Sequence, residues 1–151
     1  MKAYRIARTV FCDGSGEGAK RYGGRWNSAG CPALYASSSV ASGLLERLTV
    51  DPELFAAERY VLYSVQEFTI PDILIFYPEL SHLPAGWDSL PAGKASQRYG
   101  DALLAKGVVS FAVPSVVDRT SVNYVINPLA ADFRKIVWKV YPLKLDQRIV
   151  R

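Results

Sequence analysis

Cysteine, histidine and methionine are nearly missing from this chain, which holds two, one and one of them in 151 residues. Cys12 and Cys31 are too few for a disulfide framework and stand at no metal-ligand spacing, so both are read as reduced thiols. The single His82 excludes a multi-histidine metal centre, and no metal is expected. No apolar run reaches the length that crosses a bilayer, and the residues after Met1 lead into no signal-like segment. Runs of like charge are also absent. Lys and Arg outnumber Asp and Glu by 18 to 14, a net charge of +4, yet the cations are scattered. That pattern suits an anionic small molecule or an acidic partner at least as well as nucleic acid. Neither a Walker loop nor a Rossmann fingerprint occurs, and no internal repeat or linker divides the chain. The expectation is one soluble, cytoplasmic domain over residues 1–151.

What is present is a core-forming composition, 50% hydrophobic with 21% charged residues. Alternation predicts strands at 3–8, 33–36 and 59–70, a buried run at 73–77, and strands at 108–113, 123–126 and 136–145. Ser37, Ser38 and Ser39 offer caps for a helix running to Leu48. On it Val40, Ala41, Leu44, Leu45 and Leu48 form an apolar face, opposite Ser39, Ser42, Gly43 and Glu46. A second helix is expected at 95–106, closed by Gly107, and a short one at 129–135. Residues 12–24 read as a glycine-rich loop, and 78–93 as an irregular loop anchored by Trp87. The sum is an α+β fold with more strand than helix.

Gly23-Gly24-Arg25-Trp26-Asn27 concentrates candidate chemistry. Two glycines permit close approach, Arg25 offers a planar fork of donors, and Trp26 a flat surface. Together they suit a nucleotide-shaped anion. The plainer alternative is a Gly-Gly turn with a surface arginine and a core tryptophan. Glu46, flanked by small residues, is either a groove carboxylate or a solvated one. For Ser115, Tyr35 and Asn123 the plain alternatives are a turn serine, a core tyrosine and a loop-closing asparagine.

In order along the chain, Tyr4-Arg5, Gly23-Gly24-Arg25-Trp26-Asn27, Leu34-Tyr35-Ala36-Ser37, Leu45-Glu46, Val113-Pro114-Ser115, Asn123 and Ile126-Asn127-Pro128 resemble the RES domain family. That family is named for an arginine, a glutamate and a serine, here Arg25, Glu46 and Ser115. The resemblance implies an ADP-ribosyltransferase-like split β-sheet core with a few flanking helices, and NAD+ as substrate. It implies a toxin that breaks down NAD+ or transfers ADP-ribose to a protein. It also implies an Xre-like helix-turn-helix antitoxin, through which DNA is contacted, and a homodimer within a larger complex. On this reading Glu46 is catalytic, Arg25 grips the pyrophosphate, and Tyr35 stacks on nicotinamide. Ser115 bonds the ribose or carboxamide, while Asn123 and Arg5 are further ligand contacts. No Glu-x-Glu or Gln-x-Glu turn precedes Glu46, which favours NAD+ breakdown over protein modification. A non-catalytic RNA- or protein-binding module is the alternative of another class.

Overall fold

Seven strands make one sheet in the computed structural model, which describes residues 1–151. They are β1 (Lys2–Arg8), β2 (Leu34–Ser37), β3 (Tyr63–Thr69), β4 (Ile75–Phe76), β5 (Ser110–Pro114), β6 (Val122–Ile126) and β7 (Val137–Pro142). Their spatial order is β4-β5-β6-β2-β1-β3-β7. Only the short β4–β5 pair is parallel. β1 and β3 pair along their whole length, from Lys2 opposite Thr69 to Arg8 opposite Tyr63. β1 and β2 share a single register, Tyr4 opposite Ser37, and then part. This is the split core, with β7-β3-β1 on one side and β2-β6-β5-β4 on the other.

Alternation along the strands decides what each half buries. Leu34, Ala36, Ala112, Tyr124 and Ile126 join Ala3, Phe68 and Ile70 in a core that spans the split. Phe111, Val113 and Val125 pack with Trp26 in a second cluster, and Ile6, Tyr63 and Val65 with Leu54 and Leu143 in a third.

Four helices flank the sheet: α1 (Glu17–Tyr22), α2 (Val40–Leu48), α3 (Ala57–Tyr60) and α4 (Lys94–Ala105). Ser39 caps α2 in a reciprocal box with Ser42, because each backbone N–H meets the other's hydroxyl. The face of α2 turned to the sheet is only in part the expected apolar one. Ser42 and Gly43 are buried while Ala41 and Leu45 are exposed. A Cβ on Gly43 would lie 3.1 Å from Ile6 Cγ1, so the small residues let α2 sit directly on β1. Leu44 and Leu48 still reach the third core cluster.

Other boundaries differ from expectation for local reasons. The glycine-rich stretch 12–24 contains α1, and residues 57–60 are helical ahead of β3. The run 73–77 keeps only Ile75–Phe76 as strand, after a 3-10 turn at Asp72–Leu74. The segment 129–135 forms a 3-10 turn at Ala131–Lys135, and the last strand spans Val137–Pro142. The helix before Gly107 ends as expected, with that glycine at φ +82°.

Candidate active site

Where β1 and β2 part, a cavity of about 870 Å³ opens between them, lined by both strands, α1, α2 and the turn around Arg25. That volume is in the range of sites that enclose a small-molecule ligand. Its chemistry is concentrated at two places.

The first is Glu46 on α2. Its Oε1 accepts from Ser115 Oγ at 2.7 Å and from Asn123 Nδ2 at 2.6 Å. Asn123 and Ser37 face each other in the β2–β6 register, and Ser37 Oγ donates to Asn123 Oδ1 at 3.1 Å. That bond fixes which end of the amide faces the carboxylate. Ser115 follows the last residue of β5 and is only 1% exposed. Its hydroxyl oxygen also accepts from the N–H groups of Val117 and Asp118, both at 3.1 Å. With its oxygen taken by backbone donors, the hydroxyl proton is directed to Glu46. Oε2 has no protein partner, and Glu46 lines the cavity. The structure brings together Glu46, Ser115 and Asn123, residues separated by up to 77 positions.

The second is the turn holding Arg25. Gly23 sits at φ +75°, a region that favours glycine, and Gly24 N–H bonds Asn27 O at 2.9 Å. A Cβ on Gly24 would meet Tyr35 Oη at 2.7 Å. That hydroxyl donates to Asn27 Oδ1 at 2.6 Å and accepts from Trp26 N–H at 3.1 Å. Burial pushes the Tyr35 phenol pKa up, so it remains a neutral donor. Asn27 is fully buried and donates to Ala19 O and Cys31 O, each at 2.8 Å. Trp26 is 2% exposed, stacked on Trp87 at 6.0 Å and edge-on to Tyr99 and Phe111. Trp26 is therefore the core tryptophan of the plainer alternative, and Asn27 pins the turn beside it. Trp26 provides no open stacking face.

Arg25 is the turn's contribution to the cavity. Its Nη1 donates to the carbonyls of Trp87 and Ser89, at 2.9 and 2.8 Å, and Nη2 and Nε have no protein partner. Burial lowers its pKa, while Glu46 and Asp88 oppose that shift, and an arginine stays charged throughout. Arg5 on β1 also lines the cavity, with Nη1 donating to Phe11 O and Gln66 Oε1 at 2.9 Å each.

The sequence reading missed what holds the turn from behind. Gln97 Nε2 on α4 donates to Gly24 O at 3.1 Å, and the Asp101 carboxylate accepts from Ser28 N–H and Oγ. Between them a Cβ on Gly100 would fall 1.8 Å from Trp26 O. The spacing 97, 100, 101 puts the three on one helix face, but no residue near them in the sequence marks that face as the one that meets the turn.

A family model described as the RES domain matches residues 2–146. The chain belongs to the RES domain family. As a RES protein it is 32% identical to "Toxin Res" of Photorhabdus laumondii, across 100% of this chain and 98% of the relative. It is 35% identical to a "Prs ADP-ribosylating toxin" of a Sphingobium species, over 96% of this chain and 92% of that one. Among solved structures it resembles the M. tuberculosis MbcT–MbcA toxin–antitoxin complex, with a TM-score of 0.73 at 22% identity, covering 95% and 84%. That likeness is one of fold, a split seven-stranded sheet with a few flanking helices. No helix of this RES protein is long and apolar enough to cross a membrane.

Proposed function

We propose that this RES protein is the toxin of a toxin–antitoxin pair and cleaves the N-glycosidic bond of NAD+. The observation that carries the proposal is the convergence of Ser115 and Asn123 on one oxygen of Glu46, in a cavity that also presents Arg25. Glycosidic cleavage passes through an oxocarbenium-like transition state, for which most glycosidases use two carboxylates. Nicotinamide leaves NAD+ as a neutral molecule, so no acid is needed to protonate it and one oriented carboxylate suffices. Glu46 Oε2 is free to accept a ribose hydroxyl and to stabilise charge developing at the anomeric carbon. Ser115, buried behind Glu46, acts through that carboxylate and not on the ribose directly. Asn123 lines the cavity beside it.

Arg25 would hold the pyrophosphate with the donors its backbone bonds leave over, with Arg5 as a second phosphate contact. Tyr35, its hydroxyl committed to the turn, offers only its ring to the nicotinamide. A second reading, transfer of ADP-ribose to a protein, is favoured by the name of the Sphingobium relative. The solved toxin–antitoxin relative supports an antitoxin partner, for which we propose the Xre-like type, with a homodimer in the assembly and the cytoplasm as its place.

The test is the cellular NAD+ level after induction of the wild type, Arg25→Ala and Glu46→Gln. NAD+ should collapse with the wild type alone, with free ADP-ribose or its phosphate as product. Growth arrest at constant NAD+, with label on one protein, would select the transfer reading. Arrest by a folded Glu46→Gln chain would select a non-catalytic one.

A further inference from the structure

Three consecutive serines, Ser37, Ser38 and Ser39, join the end of β2 to the start of α2, and each bonds differently. Ser39 caps α2. Ser38 continues the ladder to β6, with its N–H on Val122 O at 2.9 Å and its hydroxyl accepting from Val122 N–H at 3.3 Å. Ser37 is buried, at 4% exposure, and the mechanism above gives it no part.

Ser38 and Val122 form a hydrogen-bonded pair of the antiparallel ladder. The next pair, Ser37 opposite Asn123, is therefore a non-hydrogen-bonded one, where cross-strand side chains come closest. There Ser37 Oγ donates to Asn123 Oδ1 at 3.1 Å. On its other side Ser37 faces Tyr4, in the single register that β1 and β2 share. Its backbone is thus fixed by both neighbouring strands at the point where the sheet splits.

From Asn123 the chain of bonds runs on to α2, because Nδ2 donates to Glu46 Oε1 at 2.6 Å. An ionised carboxylate only accepts, so the nitrogen end of the amide must face Glu46 and the oxygen end needs a donor elsewhere. Ser37 supplies that donor. Its hydroxyl also polarises the amide, which strengthens Nδ2–H toward the carboxylate. With Ser115 on the same Oε1, the relay loads one oxygen of Glu46 and leaves the other to the cavity. Held at one end only, the amide would be free to swing about its terminal torsion, which has no sharp minimum of its own.

We infer that Ser37 is a positioning residue for Glu46 and acts through the Asn123 amide. The inference rests on the NAD+ reading for its catalytic consequence, but not for the contacts themselves. Ser37 also lines the cavity, so direct contact with substrate is the competing role.

The test compares the full-length wild type, Ser37→Ala, Asn123→Ala and the double variant. Ser37→Ala should lower kcat for NAD+ cleavage about tenfold, with KM within about twofold of the wild type. In the Asn123→Ala background the same change should cost nothing further, because the residue it acts through is gone. An unchanged kcat, equal losses in the two backgrounds, or a raised KM in place of a lowered kcat each overturn the inference. In parallel, the side-chain amide protons of Asn123 would be followed by NMR, identified by their absence from Asn123→Ala. Ser37→Ala should move them toward the position of a free asparagine amide, and unmoved resonances overturn the inference. If no chain consumes NAD+, the cleavage reading falls while the amide resonances still decide whether Ser37 holds Asn123 on Glu46.

Discussion

The Glu46 locus and the Arg25 turn each deliver one charged side chain to the same cavity, but they are built differently. Around Glu46 the neighbours touch the carboxylate itself: Ser115 and Asn123, at strand ends, donate to it. Around Arg25 most of the neighbours hold the backbone instead. Asn27, Tyr35, Gln97 and Asp101 bond the turn and its flanks, and Trp26 buries its ring beneath. The difference follows from the supports. A helix side chain has a fixed origin and needs only its tip oriented, whereas a glycine turn has no regular ladder and must be pinned at every polar group. Substitutions at the first locus should therefore act on catalysis, and at the second on stability first.

The largest separation is expected from Glu46→Gln. It should lower NAD+ cleavage about 10²–10³-fold and leave the urea midpoint near the wild-type value. Asn27→Ala reverses the pattern. It strands the carbonyl of Cys31 and the hydroxyl proton of Tyr35, and leaves Ala19 O with only the Gly23 N–H, so unfolding in urea should show a loss of roughly 3 kcal/mol. Full stability in Asn27→Ala would break the comparison. Gly100→Ala is sharper because the two expectations differ in sign. An ordinary helix position gains about 1 kcal/mol from this change, but the clash with Trp26 O should turn it into a loss of about 1–3 kcal/mol. The thermal midpoint reads that sign directly.

Ser115→Ala tests the first locus at its base. With one of two donors to Glu46 removed, kcat should fall about tenfold while KM changes little. A pure rise in KM would instead place Ser115 against substrate. The smallest effect belongs to Arg119, which pairs with Asp88 at 2.9 Å and lies over the Trp87 ring. Both partners are exposed, so Arg119→Ala should leave the urea midpoint almost unchanged, and the more so at high salt. A double-mutant cycle with Asp88→Ala measures it.

Much of the fold was legible where local signals agree with burial. β1, β2, β6, the Ser39 cap and the Gly107 stop all fall within a residue or two of expectation. α1 was hidden because a six-residue helix containing Gly18 carries little intrinsic propensity, and its last turn is closed by Gly23 N–H on Ala19 O. The apolar face of α2 was legible only in part, since Val40, Leu44 and Leu48 pack on the core while Ala41 and Leu45 do not. Close approach decided the rest, through Ser42 and Gly43. Of the residues named as site candidates, Arg5, Arg25, Tyr35, Glu46 and Asn123 line the cavity, and Ser115 does not. Gln97 and Asp101 were not read at all, since nothing local distinguishes a buried polar partner from a solvated one.

What the sequence alone determined is the set of side chains and their order. A lone carboxylate on a serine-capped helix, an arginine after two glycines, and a serine closing a strand are enough to resemble a RES domain and to suggest its chemistry. What only the tertiary structure decided is which of them meet and in what role. Tyr35 and Asn27 became the pins of a turn, and Ser115 became the support of Glu46. Each outcome depends on contacts between residues far apart in the chain, and it is the parting of β1 from β2 after a single shared register that sets those contacts.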